Sequence, residues 1–170
     1  MPTSEQVYIR PGTLRDLRKM AAEGRLYAIL DACNEPAVPP KVTELGPERA
    51  ISLYRGRAEQ EQWAIAPYLA NVDSLLLDWI AQTLWKKPWG VFAVVEHNLT
   101  MLRKHFRRFL TVADPEGEPM YFRYYDPRVL SLFLPTCTRE ELKTFMGPLK
   151  AYAVGDPESE GVKFFLNVPD

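Results

Sequence analysis

Hydrophobic positions along the chain fall into two periods. Leu14, Leu17 and Met20 recur at helical spacing between Thr13, a suitable N-cap, and Gly24, a suitable stop, which predicts a helix over 13–24. Ser74–Trp85 is apolar nearly all round, with a narrow polar stripe at Ser74, Asp78, Gln82 and Lys86, the pattern of a helix largely buried against a sheet. Asn98–Phe109 is amphipathic: Leu99, Leu102, Phe106 and Phe109 share one face, and Arg103, Lys104, Arg107 and Arg108 the other. Two short helices are expected at Pro127–Leu134 and Arg139–Met146, the second opened by a capping box of Thr138 and Glu141.

Between these helices lie runs suited to strands. "RLYAIL" (Arg25–Leu30) reads as a buried strand ending at Asp31, and "WGVFAVVE" (Trp89–Glu96) as a central one. Ala50–Tyr54 and Trp63–Val72 look extended, and Pro67, which lacks an N–H, places the latter at a sheet edge or a bulge. "FLTVADPEGEPMYFRYYD" reads as strand, turn and strand about Asp114–Gly117, and "LKAYAV" and "VKFFLNV" form a closing hairpin around "GDPESEG". The segment 34–48, with Pro36, Pro39, Pro40 and Pro47, is expected to be an irregular surface connection. The resulting class is α/β: a single domain, 1–170, with a mixed β-sheet flanked by helices and a C-terminal β-hairpin.

Composition narrows the function. A chain of 170 residues buries about 70% of its unfolded surface, enough for one substantial core. Lys plus Arg is 21 and Asp plus Glu is 22, a net charge of −1, which gives no global field for nucleic acid. The run "RKHFRR" is basic but isolated, so nucleic-acid binding is not expected. Cys33 and Cys137 are expected to be reduced thiols. "MPTSEQVYIR" lacks the layout of a signal peptide, and no apolar run approaches the length of a membrane span. A cytoplasmic protein without membrane partners is the expectation.

The densest chemistry is "YFRYYDPRVL" (Tyr121–Leu130). On a strand, Phe122 and Tyr124 point one way, and Tyr121, Arg123 and Tyr125 the other, so that Arg123 lies between two phenol rings. Asp126 is placed to cap the next helix, with Pro127 at its first position, where a missing N–H costs nothing. Arg128 stands near the positive end of the helix and requires a carboxylate, for which Asp31 and Glu96 are candidates. This account makes Arg123, Asp126 and Arg128 structural groups.

Taken in order, "RLYAILDACNEP", "ISLYRG", "APYLANV", "WGVFAVVEHNLTMLRKHFRRFLTV" and "YFRYYDPRVLSLFLPTCTREELKTFMGPLKAYAV" resemble the adaptor or chaperone proteins of bacterial type VI secretion, a family first catalogued as a domain of unknown function. The resemblance spans 26–154, and its most specific block is Tyr121–Leu130, followed by the strand opening at Trp89-Gly90. It implies a non-catalytic protein that needs no cofactor or metal, holds a secreted toxin effector and helps load it onto the VgrG spike protein. Arg123, Asp126, Pro127 and Arg128 match the family signature, and Arg107 and Arg108 the basic segment before it. Many members continue into a C-terminal lobe implicated in gripping the effector. Because this sequence stops at Asp170, binding through the shared domain is the expectation here.

Candidate partner-binding residues are the basic face Arg103, Lys104, Arg107 and Arg108, with Trp63, Tyr68, Trp85 and Trp89 as possible aromatic anchors. The plain alternative is a solvated helix face and core tryptophans. The alternative function is a small α/β enzyme using Glu96 and His97 at the end of a sheet strand, with His105 eight residues on. No G-x-S-x-G, G-x-G-x-x-G, P-loop or H-E-x-x-H motif accompanies them.

Overall fold

A computed structural model describes residues 7–167. Residues 1–6, on which much of the leader reading rests, and the terminus 168–170 lie outside the described range. The elements in chain order are β1 (Tyr8–Thr13), α1 (Leu14–Ala22), β2 (Leu26–Asp31), α2 (Val38–Leu45), β3 (Ala50–Ser52), α3 (Arg57–Glu61), β4 (Pro67–Asn71) and α4 (Ser74–Trp79). A π-helical segment (Ile80–Leu84) extends α4 and leads to β5 (Gly90–Val94), α5 (Leu99–Arg107), β6 (Thr111–Ala113) and β7 (Pro119–Tyr121). Then come α6 (Pro127–Phe133), a 3-10 turn (Leu134–Thr136), α7 (Arg139–Met146), β8 (Ala151–Gly155) and β9 (Gly161–Leu166).

Seven strands form one sheet in the order β1-β9-β8-β5-β2-β4-β3, and β6 pairs with β7 in a separate hairpin. The α/β single domain and the closing β8–β9 hairpin agree with the sequence reading. The expected mixed sheet does not form, because every pairing among the described residues is antiparallel. The β4–α4–β5 connection is a helical crossover between strands that run the same way. β2 occupies the place between them, antiparallel to both. A helix between two strands fixes their relative direction more readily than their adjacency.

Alternation along the strands sends side chains to two cores, one on each face of the sheet. Leu26, Ala28 and Leu30 of β2 join Phe92 and Val94 of β5 on the face covered by α1, α2 and α4. Tyr27 and Ile29 join Val91 and Ala93 on the face covered by α5, α6 and α7. The chain is thus a three-layer sandwich. β2 and β5 are buried along their whole length, which explains why both read as continuous apolar runs.

The local signals mostly hold. Asp16 accepts the Thr13 N–H at 2.8 Å at the start of α1. Asp73, Asn98 and Thr138 each cap a helix by accepting a backbone N–H, from Leu76, Met101 and Glu141 respectively. The proline-rich segment is a correction. It contains helix α2, because Pro39 and Pro40 fall in the first turn, where no intrahelical N–H is needed, and Pro47 follows the terminal Gly46. Pro67 is likewise neither on an edge strand nor at a bulge. It is the first residue of β4, which lies between β2 and β3. Residues 63–65, expected to be strand, form a turn. The short elements β1 and α3 had no expectation, since β1 is a mostly exposed edge strand interrupted by Pro11 and α3 is five residues long with none buried.

Gly90 shows why Trp89-Gly90 opens the central strand. Its φ is +150°, and a Cβ there would stand 1.9 Å from the Ile29 carbonyl oxygen of β2. Trp89 is buried edge-to-face on Phe92, with ring centroids 4.9 Å apart. Gly90→Ala is therefore expected to cost about 3 kcal/mol or more, the upper end for a single substitution. Urea denaturation would check this, and an unchanged midpoint would show that β2 and β5 are not held at this separation.

Candidate functional site

The turn that follows the short strand β7 gathers most of the buried charge. The strand ends at Tyr121, four residues earlier than the alternation of "YFRYY" predicts, because β7 pairs only with β6 and its residues are exposed on both faces. Tyr124 and Tyr125 therefore both turn inward, and Tyr121 stays outside, 6.3 Å from the ring of Tyr54. Arg123 lies over Tyr125, 5.8 Å from its centroid, rather than between two phenols.

Arg123 reaches back across the sheet to the carboxyl end of β2, where Nη2 donates to Asp31 Oδ2. Asp31 is fully buried, and its Oδ1 accepts the Cys33 N–H at 3.1 Å. Burial raises the Asp31 carboxyl above its usual range, and the Arg123 charge and hydrogen bonds offset this only in part. Tyr125 is raised for the same first reason, burial, with Tyr54 and Asp31 adding to it.

One turn later Asp126 caps α6 as expected, accepting the Arg128 N–H at 2.9 Å. The expected partner of Arg128, Asp31 or Glu96, is corrected: the guanidinium folds back onto Asp126, with Nε to Oδ1 at 3.0 Å and Nη2 to Oδ2 at 2.7 Å. A capping carboxylate has enough lone pairs for both tasks, and Asp31 is occupied by Arg123. Asn34, from the loop after β2, also donates to Asp126 and to the Pro88 carbonyl. Partial burial pushes Asp126 up, but the Arg128 bonds and charge outweigh it and hold the carboxyl below its ordinary range.

The basic helix face divides in two. Arg107 donates from Nε to the Leu53 carbonyl at 2.9 Å and from Nη2 to the Tyr54 carbonyl at 2.5 Å. Arg103 donates to the Ser52 carbonyl at 3.0 Å and pairs with Glu59 at 3.2 Å. These two arginines satisfy the chain as it leaves the edge strand β3, so reversing Arg107 damages the fold before it tests a surface. Lys104 and Arg108 are exposed beside His97 and Met101 around a shallow depression of about 200 Å³.

The proposed anchors also divide. Trp89 and Tyr68 belong to the core, and Tyr68 donates its hydroxyl to the Trp63 carbonyl at 2.6 Å. Trp85 is half-buried and donates to the carbonyls of Asp156 and Ser159. Only Trp63 is exposed, at 56%, with Ile65 nearby in sequence. Glu96 and His97 are both exposed on the loop before α5, and Tyr27 donates to the His97 carbonyl. Among the described residues no group of three or more His, Cys, Asp or Glu side chains is placed to hold a metal ion. Cys33 is exposed, whereas Cys137 is buried and its thiol is pushed up to about 11. No described helix is long and apolar enough to cross a membrane.

Residues 26–144 match the family described as Domain of unknown function (DUF4123). The match covers well over half of the chain and includes both charge pairs of the turn. The chain belongs to that family. No curated protein and no solved structure is significantly similar to it.

Two outcomes follow from this geometry. Arg123→Ala strands a buried carboxylate and is expected to lose about 2–4 kcal/mol at neutral pH. The loss should shrink when Asp31→Asn is added, as urea denaturation of the four-member cycle would report; full stability of Arg123→Ala would show that the Arg123–Asp31 pair does not stabilise the fold. His105 is buried, donates from Nε2 to the Phe145 carbonyl at 3.0 Å and packs on Phe106 and Phe109. Burial, with a smaller contribution from the Arg108 charge, lowers its pKa despite the Phe145 bond. A base depressed on folding contributes stability above its unfolded pKa, about 6.5, that is lost as pH falls through the folded value. Stability is expected to drop as pH falls below about 6.5, and His105→Gln should flatten that slope. A parallel pH profile in the variant would refute the assignment.

Proposed function

We propose that this protein is an adaptor or chaperone of type VI secretion that binds a toxic effector and helps load it onto the VgrG spike, acting by occupancy in the cytoplasm without catalysing a reaction. The observation that supports this most is the way the signature charges are used. Arg123 is paired with Asp31, which lies outside the signature, and Asp126 with Arg128, both within the fold, so the turn serves as scaffolding. The resemblance of the same stretch to type VI adaptors supplies the role. A protein of this kind needs exposed apolar anchors, with charge at the rim to set orientation and encounter rate. Trp63 offers such an anchor, and Lys104 and Arg108 offer such charge.

The test is a pull-down with the toxin and spike proteins encoded beside this chain. Folded protein is expected to retain at least one of them. Lys104→Glu with Arg108→Glu, and separately Trp63→Ala, should weaken capture while the thermal melting curve is unchanged. Failure to retain either protein would defeat the adaptor reading, and turnover that depends on Glu96 or His97 in a substrate screen would favour an enzyme.

A further inference from the structure

The helical layer that covers one face of the sheet stops short of its β1 edge. There, Ile9 and Pro11 of β1, Lys163 of β9 and Val154 of β8 lie on the same face as the buried Phe165 and Tyr152, by register, and α6 approaches only as far as Ser131. The depression left over them has a volume of about 500 Å³. A second, of about 350 Å³, lies between Trp85, Pro88, Trp89 and the start of α6. The two share Ser131, Val154, Gly155 and Pro157 and run into one another. The joined groove crosses from β1 over β9 and β8 to the start of β5. That is three inter-strand spacings, about 14 Å, which an extended chain covers in about four residues. Each part falls within the range of about 300–1,000 Å³ found for ligand-holding clefts.

The groove is apolar in its floor and positive at its rim. Lys86 and Lys163 line it and have no carboxylate partner among the described residues. Lys87, half-exposed, is paired with Glu35 at 3.2 Å, and Arg128 with Asp126. The acid on this rim, Asp156, is turned into its own loop, where it accepts the Glu158 N–H at 2.9 Å and the Ser159 hydroxyl at 3.0 Å. The lining thus carries four cations, Lys86, Lys87, Arg128 and Lys163, against one acid, Asp156, and Lys86 and Lys163 are the two of these four without an ion pair among the described residues.

We infer that this groove binds an extended segment of a partner protein, one that places apolar side chains over Ile9, Val154 and Trp89 and carboxylates against Lys86 and Lys163. Burial of the apolar side chains supplies affinity, and the two lysines select acidic over basic segments. The inference rests on the adaptor reading only for the identity of the partner.

The test is selection of phage-displayed random dodecapeptides on the intact chain, followed by fluorescence polarisation with labelled copies of the enriched peptides. Peptides combining apolar residues with Asp or Glu are expected. Their Kd should rise at least tenfold both in Lys86→Glu with Lys163→Glu and in Ser131→Trp, which fills the shared part of the groove. Exchanging the peptide acids for Lys should restore binding to the charge-reversed variant. Melting curves verify folding, and the lysine pair, on exposed positions, carries the test if Ser131→Trp does not fold. No enrichment, enrichment of basic peptides, or affinities indifferent to these variants would overturn the inference. Capture of intact toxin or spike that is undiminished in these variants would overturn the groove and leave the adaptor reading standing. Peptides held in the groove while neither protein binds would do the reverse.

Discussion

The structure depends on an ion pair between two distant parts of the chain, Asp31 and Arg123. Asp31 ends the most buried strand of the sheet, and a carboxylate there, without water, is a heavy cost unless a cation and donors answer it. Arg123 answers it from 92 residues away, and the Cys33 N–H adds a second donor. Because the guanidinium must reach β2, the segment between β7 and α6 is drawn over the end of the sheet. Tyr124 and Tyr125 then both turn inward, Tyr124 against Phe106 and Phe145, and Tyr125 between the ring of Tyr124 and the guanidinium of Arg123.

Asp126 completes the arrangement by holding three things at once: the first turn of α6, the side chain of Arg128, and Asn34 from the loop after β2. The loop that leaves β2 and the turn that enters α6 are thus tied twice, once through each acid. Both charge pairs are spent within the molecule. Such a region transmits the position of α6 to the sheet, and α6 in turn sets how far the helical cover reaches towards β1. The groove beyond Ser131 is the space this leaves.

Much of the fold was legible. Capping residues at Thr13, Asp126 and Thr138 marked helix starts, and two unbroken apolar runs marked the central strands, because both signals are local. The candidate site was legible only in part. The "YFRYYDPRVL" stretch announced buried charge and a helix start, and Asp31 was among the candidate acids, but it was matched to the wrong arginine. Periodicity gave Arg103 and Arg107 the same standing as Lys104 and Arg108, since all four lie opposite the apolar stripe. Nothing in the spacing of α5 reveals that three carbonyls of the 52–54 segment wait beside two of those arginines. Asn34 and Glu59 gave no signal of their own, being ordinary polar residues in loops or short helices.

By itself the sequence determined α1, α4, α5, α6 and α7, the two core strands, the closing hairpin and the family-specific block, because caps, turns and side-chain period act over a few residues. Only the tertiary structure decided that β2 would lie between β4 and β5, that the sheet would be antiparallel throughout, and that Arg123 rather than Arg128 would meet Asp31. Those outcomes depend on which distant segments share a burial site. There the cost of an unpaired charge or an uncovered face is counted over the whole molecule rather than along the chain.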